Sequence, residues 1–351
     1  MGLDTPVRAN LPERARPHPV RRSAPPGILG EDGDQILRRA ARVTALVTSG
    51  LLVVAAVALI ARFLPTRNRS QLFMAALSPF LMTAGPAALV ILIATSAHPG
   101  WIAVAAAVTV AALATQAPSY IRGRVPTGPT VRLVTANLRY GRSDPAAVLE
   151  LAYRSADVLT VQELTPELAD ALSSAGIDTE FPHRVLRPRE RAAGVGLWSR
   201  YPISRTDEDD GFERGFIAVA VRIPGTTADT TVVCTHMSPP RSAFHKWHAD
   251  LARLGPALQR LGSEGPVIVG CDLNATPDVF EFRRLLTGGY RDGAAQAGAG
   301  LTRTHPDHAP VPRLLAVDHV LTRGATVTSM RLARVIGSDH LALVTTVVLN
   351  S

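Results

Sequence analysis

The stretch Val267-Ile268-Val269-Gly270-Cys271-Asp272-Leu273-Asn274 decides the fold of this chain. It begins as a continuous apolar run, which is typical of a strand that is buried on both faces. It then changes to two polar side chains, Asp272 and Asn274, at the point where the run stops. Polar residues at such a point are candidates for a functional site at one rim of a sheet. The stretch therefore predicts a buried strand with a site at its carboxyl end.

Five further polar motifs adjoin β-type runs in the C-terminal part of the chain. They are Thr135-Ala136-Asn137-Leu138, Val161-Gln162-Glu163, Thr235-His236, Val317-Asp318-His319 and Ser338-Asp339-His340. Strand-type runs alternate with segments of helical periodicity, and some strands follow one another directly. This interleaving predicts a layered α/β domain.

The order and content of the six motifs resemble the endonuclease/exonuclease/phosphatase superfamily, the metal-dependent phosphoesterases that include DNase I-like nucleases, inositol phosphatases and neutral sphingomyelinases. The resemblance covers residues 130–351 and includes residues 194–203, which look like the family's central Ser-Arg-x-Pro-Ile strand and turn. It implies a two-sheet sandwich in four layers, α/β/β/α, with the site at one end. It also implies a metal-dependent hydrolase that acts on phosphoester bonds.

Eight residues match the family's functional positions. The resemblance implies that three are metal ligands and that five are catalytic: Asn137, Glu163 and Asp339 for the metal, and His236, Asp272, Asn274, Asp318 and His340 for catalysis. Carboxylate and amide oxygens suit a hard divalent cation. The expected cofactor is therefore Mg²⁺ or Mn²⁺.

The resemblance also implies a role for each catalytic candidate. Asp318 orients the imidazole of His340, which acts either as a base or as an electrostatic stabiliser. Asp272 positions the nucleophile or protonates the leaving group, and Asn274 donates to a phosphoryl oxygen. His236 contacts the phosphate or the leaving group, with a structural hydrogen bond as the alternative.

One histidine beside the motifs is not expected in the site, and two short segments depart from the family pattern. His319 is left outside the site, because it follows Asp318 in the strand and is expected to point to the opposite face. Thr304-His305-Pro306 stands where relatives often carry Thr-Trp-Pro, and Leu315-Ala316 stands where an Arg-Ile pair is common. These departures lie near the mouth of the site, so they bear on substrate choice more than on the reaction.

The first 129 residues have a different character. Residues 43–129 contain no Asp or Glu, and uncharged apolar runs occupy residues 43–61, 73–97 and 101–117. Each run approaches the ~20 residues with which a helix crosses the hydrocarbon layer. We therefore predict three transmembrane helices within residues 43–117. Buried soluble helices are the alternative, as is a cleaved signal peptide for the first run.

The remaining N-terminal segments are expected to be irregular. Residues 1–42 are rich in Pro, Arg and Gly, which predicts a disordered cytoplasmic tail. Residues 118–129 read as a linker to the catalytic domain at residues 130–351. Eight arginines precede the first apolar run, whereas five lie in the segments that would be outside, so the positive-inside rule favours a cytoplasmic N-terminus.

Three crossings from that start predict a multi-pass cell-membrane protein with an extracytoplasmic catalytic domain and the lipid bilayer as a partner. This organisation resembles the bacterial membrane-anchored branch of the superfamily that includes teicoplanin-resistance membrane proteins. Tethering to a bilayer favours a phosphorylated, lipid-linked or envelope substrate. The oligomeric state is left open.

The charge distribution bears on nucleic acid as a partner. The net charge of +8 belongs to residues 1–129, which hold 13 arginines against five acidic residues, whereas residues 130–351 hold 24 basic and 24 acidic residues. The domain therefore lacks the basic footprint of duplex binding. A membrane-tethered extracellular endonuclease stays as one alternative, and a non-catalytic envelope module that binds a phosphorylated ligand as another.

The two cysteines, Cys234 and Cys271, either form a disulfide or are adjacent core thiols. Strand alternation puts Cys234 on the same strand face as His236 but Cys271 on the face opposite Asp272. This favours free thiols.

Overall fold

The computed structural model describes residues 31–261, 265–308 and 310–350. The chain divides into two compact units, Met1–Val47 and Thr48–Ser351. Of the tail that was predicted to be disordered, residues 1–30 lie outside the described residues. Residues 31–42 are helical, so the prediction of disorder is wrong for them. They include Leu, Ala and three arginines, which are strong helix formers, and they extend the first apolar helix.

Five helices precede the first strand in the described part of the chain. They are α1 Glu31–Phe63, α2 Arg69–Ala76, α3 Ser78–Leu81, α4 Ala84–Ala94 and α5 Pro99–Gln116. Among the described residues, Gly33–Phe63 and Pro99–Tyr120 are long and apolar enough to cross a membrane. The pair Arg69–Ala76 and Ser78–Ala94 adds a third span if the two helices are counted together.

The second predicted span, residues 73–97, is not one continuous helix. Its two parts are bent by 58° at a break, and Pro79 lies in the first turn of α3, just after the break. A proline nitrogen has no hydrogen to donate, and its ring clashes with the preceding turn. A continuous helix is therefore ruled out here, and the crossing of a membrane by three helices stays a prediction.

Two six-stranded sheets follow in the described residues. The strands are β1 Thr130–Asn137, β2 Val158–Gln162, β3 His183–Arg187, β4 Val195–Ser199, β5 Ile203–Glu208, β6 Phe216–Val221, β7 Thr230–His236, β8 Val267–Asp272, β9 Arg291–Asp292, β10 Asp318–Arg323, β11 Ala325–Arg334 and β12 Leu341–Leu349. The first sheet has the order β11-β12-β1-β2-β4-β3, and the second β5-β6-β7-β8-β10-β9. The β1–β2 and β7–β8 pairs are parallel, and the other pairs are antiparallel.

Helices flank the two sheets. They are α6 Pro145–Ser155, α7 Pro166–Ser174, α8 Ile177–Glu180, α9 Pro240–Leu261, α10 Phe280–Leu285 and α11 Gly293–Ala297. One apolar core lies between the sheets and contains Leu133 and Val219. A second core packs α6 and α7 on the first sheet, and a third packs α9 and α10 on the second. The predicted two-sheet α/β sandwich is confirmed.

The sandwich has two distinct ends. Strands β1, β2, β7 and β8 finish at the same end at which β10 and β12 begin. We call this the site end, because all six polar motifs lie there, and we call the opposite one the far end. The parallel pairs β1–β2 and β7–β8 place the carboxyl ends of four strands at the same rim, which is why motifs far apart in sequence meet.

Cys234 and Cys271 are both free and buried. They lie on neighbouring strands, but Cys234 faces the core between the sheets, whereas Cys271 faces the core under α9 and α10. The favoured interpretation of free thiols is confirmed, because the sheet itself separates the two sulfur atoms.

Candidate active site

A cavity of about 300 Å³ opens at the site end. Six of the eight predicted site residues line it: Glu163, His236, Asp272, Asn274, Asp339 and His340. The other two, Asn137 and Asp318, are buried against it. The Asn137 Nδ2 donates to Asp272 Oδ2 at 3.0 Å, and Asp318 Oδ2 accepts from His340 Nδ1 at 2.8 Å. The structure thus brings all eight residues together.

His340 and Asp318 form a buried ion pair. Burial by itself would lower the pKa of His340, but the charge and hydrogen bond of Asp318 outweigh it and raise the pKa to about 10. Burial would likewise raise the pKa of Asp318, but the charge of His340 lowers it. His340 is therefore an imidazolium at neutral pH, with its Nδ1–H committed to the carboxylate.

His236 has the opposite charge state. Burial, together with the charges of Arg214 and His340, lowers its pKa to about 3. The neutral ring donates from Nδ1 to the Ala192 carbonyl oxygen at 3.0 Å, which leaves a lone pair on Nε2. That Nε2 lies 3.5 Å from Asp272 Oδ2. The same Nε2 also lies 3.5 Å from Asn274 Nδ2, so His236 shares the acceptor that it presents at the cavity wall with that amide.

Asp272 connects the two histidines. Its Oδ2 is 3.5 Å from His236 Nε2 and 3.9 Å from His340 Nδ1. Its Oδ1 accepts from the backbone N–H of Asn274 at 2.9 Å. Burial and the nearby charge of Asp318 raise the pKa of Asp272. This carboxyl group therefore holds a proton more readily than an ordinary aspartate.

Glu163 reaches the cavity from a left-handed backbone conformation, with φ of 60°. Its Oε2 accepts from the Tyr140 backbone N–H at 2.7 Å, and its Oε1 lies 3.9 Å from Arg214 Nη1. Burial raises the pKa of Glu163. Non-glycine residues seldom adopt this conformation, and it is common at functional sites. The backbone after Glu163 packs closely against Gly194, which directly precedes β4. A Cβ at Gly194 would stand 1.8 Å from the Leu164 carbonyl oxygen, so only glycine fits there.

Six residues that were not predicted as site residues also line the cavity: Tyr140, Arg214, Pro239, Arg241, Ser242 and His305. The His305 ring lies against that of His340, with centroids 4.4 Å apart and the ring planes tilted by 40°. Its position was visible in sequence as the departure at Thr304-His305-Pro306. Arg214 carries no local signal, because it precedes β6 in a loop and reaches Glu163 only in the folded chain.

The donor set fits a hard divalent cation. Glu163 offers a buried carboxylate at the cavity wall, and Asp339 adds a second one, 3.6 Å from Arg139 Nε. Two groups of three residues each bring their ligand atoms within 4.8 Å of one another. One group is His305, Asp339 and His340, and the other is Asp272, Asp318 and His340. Because a ligand must be deprotonated, the imidazolium of His340 disfavours both groups. Neither group includes Glu163, so its role as a metal ligand stays a prediction.

Asn137 lies beneath the cavity rather than on its wall. Its amide nitrogen donates to Asp272, and its Oδ1 accepts from the Arg139 backbone N–H at 2.8 Å. Its role as a metal ligand stays a prediction. His319 points away from the cavity, as expected. Its Nε2 lies 2.8 Å from the Ala275 carbonyl oxygen, and its ring packs on Phe282.

A sequence model of the Endonuclease/Exonuclease/phosphatase family matches residues 134–340, which include every predicted site residue. The chain belongs to this family. No curated protein sequence matches it. The family's members are generally phosphoester-hydrolysing enzymes, and they typically use divalent metal ions.

Solved structures show the same family fold. An endonuclease/exonuclease/phosphatase from Bacteroides vulgatus is 18% identical, with a TM-score of 0.52 over 63% of this chain and 99% of that one. D. rerio TDP2, complexed with a single-strand DNA product, is 15% identical, with a TM-score of 0.52 over 62% and 98%. The 3′ phosphatase NExo from Neisseria, bound to a product DNA hairpin, is 19% identical, with a TM-score of 0.51 over 61% and 98%. These likenesses concern the fold.

Proposed function

We propose that this protein is a membrane-anchored, divalent-metal-dependent phosphoesterase whose extracytoplasmic domain hydrolyses a lipid-linked or other envelope phosphoester. One observation carries the proposal. A charged His340, a neutral His236 and the carboxyl groups of Glu163 and Asp272 converge on one cavity. Family membership supports the reaction class, and the apolar helices before residue 120 support the anchoring.

Each side chain has a task in phosphoester hydrolysis. The imidazolium of His340 stabilises negative charge on the phosphoryl oxygens, and Asp318 holds that ring in place. Asp272, with its raised pKa, carries a proton that it can give to the leaving oxygen. The lone pair on His236 Nε2 accepts a hydrogen bond from the attacking water or the leaving group.

Glu163 is the principal candidate to hold the metal, with Asp339 and Asn137 as further oxygen donors. When bound, the ion supplies positive charge to the phosphoryl oxygens. Arg214 and the Tyr140 backbone N–H keep the Glu163 carboxylate oriented, because each approaches one of its oxygens.

Turnover by the full-length protein in detergent tests this function. We expect hydrolysis of p-nitrophenyl phosphate or its diester with Mg²⁺ or Mn²⁺ and none with EDTA. The variants Glu163→Gln and His340→Asn should each lower kcat/KM by about 100-fold or more. Glu163→Gln should also weaken Mn²⁺ binding measured by calorimetry, which is a readout that needs no turnover.

Matched controls are Glu208→Gln and His245→Asn, which change the same residue types at exposed positions away from the cavity. They should leave turnover within about twofold of the parent, as surface substitutions do. Mn²⁺ binding to a folded protein that hydrolyses neither substrate would point to the non-catalytic ligand-binding module. Cleavage of DNA in preference to the small esters would point to the nuclease.

A further inference from the structure

Exposed apolar side chains are distributed unevenly over the catalytic domain. Among the described residues from 130 onward, four large hydrophobic side chains are exposed: Tyr140 by 49%, Val311 by 44%, Leu314 by 36% and Ile336 by 64%. All four lie in loops at the site end. Tyr140 follows β1, Val311 and Leu314 precede β10, and Ile336 precedes β12. From residue 130 onward, the described surface at the far end has no such residue. The four side chains thus form an apolar rim at the site end, and Tyr140 lines the cavity itself.

The same end of the domain contacts the apolar helices. Arg69 of α2 donates to the carbonyl oxygen of Ser242, a residue of the cavity wall, at 3.5 Å. Arg303 comes two residues before His305 of the cavity wall. Its guanidinium lies 5.2 Å from the centroid of the Phe80 ring in α3. The cavity therefore opens beside the bent helix pair.

A third link joins the ends of α1 and α5 to the loop that follows Asn274. The buried Asp278 carboxylate pairs with Arg62 and accepts a hydrogen bond from Gln116 Nε2 at 2.8 Å. From Gln116 the chain continues through a linker to Pro129, which lies beside the turn between β6 and β7 at the far end, since a Cβ at Gly225 would stand 3.5 Å from Pro129 Cγ. The linker thus runs from the helices to the far end of the domain, and β1 runs back from the far end to the site end.

We infer that the site end of the domain rests on the bilayer surface and that the apolar rim of Tyr140, Val311, Leu314 and Ile336 enters the interface. The substrate of the proposed phosphoesterase is then a phosphorylated lipid. This inference rests on the proposed function for the reaction and deepens it by naming the substrate class.

The geometry suits such a substrate. The exposed apolar side chains of α4 and α5, such as Val90, Ile93 and Val110, require a hydrocarbon environment. Helices embedded in a bilayer bring the loops that they contact to its surface. A lipid can then leave its chains in the hydrocarbon while its phosphate enters the cavity beside Arg214 and His340. Apolar rim residues at an interface add binding free energy in proportion to the area that they bury.

A triple variant, Val311→Ser with Leu314→Ser and Ile336→Ser, tests the rim in the full-length protein in proteoliposomes. The vesicles are phosphatidylcholine with either phosphatidate or a polyprenyl pyrophosphate, and p-nitrophenyl phosphate is the water-soluble substrate. We expect phosphate release from the vesicle lipid to fall about tenfold or more, while hydrolysis of the soluble ester stays within about twofold. Val125→Ser, which removes an exposed apolar side chain from the linker, is the matched control and should change neither rate.

A depth measurement needs no turnover. A fluorophore on Ile336→Cys should be quenched by spin-labelled lipid, whereas one on Ala228→Cys, an exposed position at the far end, should not. The native Cys234 and Cys271 are fully buried, so labelling is selective.

The outcomes separate the two proposals. Absence of turnover on every substrate contradicts the proposed function, and the quenching experiment still decides the orientation. Normal turnover on the soluble ester with no hydrolysis of either vesicle lipid overturns the inference. Equal loss on soluble and lipid substrates in the triple variant, or equal quenching at residues 228 and 336, also overturns it.

Discussion

Three buried histidines of the domain show how neighbours set the chemistry of one residue type. His340 is held charged by Asp318, whereas His236 is held neutral by burial and by the positive charges of Arg214 and His340. His319 follows Asp318 in the same strand but lies on the other face, with its Nδ1 3.8 Å from Asp292 Oδ1. Neighbouring residues of β10 thus take part in two Asp–His pairs on opposite faces of the second sheet, and only the pair of Asp318 with His340 faces the cavity.

This duplication provides a test of the catalytic pair. Asp318→Asn should lower kcat by about 100-fold or more, because the imidazolium of His340 loses the carboxylate that stabilises its charge. Asp292→Asn makes the same change beside His319 and should leave kcat within about twofold. The measurement is steady-state hydrolysis of p-nitrophenyl phosphate by the full-length variants. Equal losses in the two variants would show that Asp318 acts through stability rather than through His340.

At the scale of an element, the loop between β8 and α10 departs from its local signals. Thr276 followed by Pro277 is a local signal for a helix start, with Thr as the N-cap and Pro at the first helical position, but α10 begins at Phe280. The intervening Asp278 is 1% exposed and is bound by Arg62 and Gln116. These long-range bonds satisfy the carboxylate, and the segment forms a turn in which the Val279 N–H donates to the Thr276 carbonyl oxygen at 3.0 Å. The local helix signal is therefore overridden. The helix thus starts at Phe280 and not at Pro277.

A double-mutant cycle measures the strength of this link. Arg62→Met alone should destabilise the protein by about 3–5 kcal/mol, because it leaves the buried Asp278 charge without its cation. Asp278→Leu alone should be similarly costly, and the double variant should recover part of the loss. Thermal unfolding of the full-length protein in detergent provides the values. Strict additivity of the two single changes would contradict a direct pairing.

At the scale of the whole molecule, the second unit does not separate into an anchor and an independent domain. Leu72, Ala75 and Ala76 of α2 belong to the same apolar core as Phe244 and Trp247 of α9. The predicted boundary at residue 130 therefore cuts through a core. An amphipathic helix face that loses its cover exposes apolar surface to water, which costs free energy.

Removal of the helices should reveal this dependence. Residues 130–351 expressed alone should unfold at a lower temperature than the full chain in the same detergent, with a loss on the order of 3 kcal/mol. Leu72→Ala in the full chain should reproduce about 2–3 kcal/mol of it. Calorimetry of the three proteins measures the loss. Equal melting temperatures for the isolated domain and the full chain would show that the domain is self-sufficient.

The sequence predicts the buried strands well and the edge strands poorly. Strands such as β2, β7 and β8 are buried along their whole length and read as apolar runs. The strands β3, β5 and β9 have no strand-type apolar run in the sequence, and each lies at an edge of its sheet. An edge strand such as Ile203–Glu208 is largely exposed, so it carries no continuous apolar run. The missing signal is therefore a consequence of position in the sheet.

The sequence by itself determined which polar residues follow or begin the buried strands, the apolar character of the N-terminal third and the neutral charge of the catalytic domain. These are local properties, because they depend on composition and on the period of the apolar residues. Only the tertiary structure decided that Arg214 and His305 join the site, that His340 is charged while His236 is neutral, and that the exposed apolar loops share the end of the cavity. Each of these depends on burial and on neighbours from distant strands, and no local pattern encodes them.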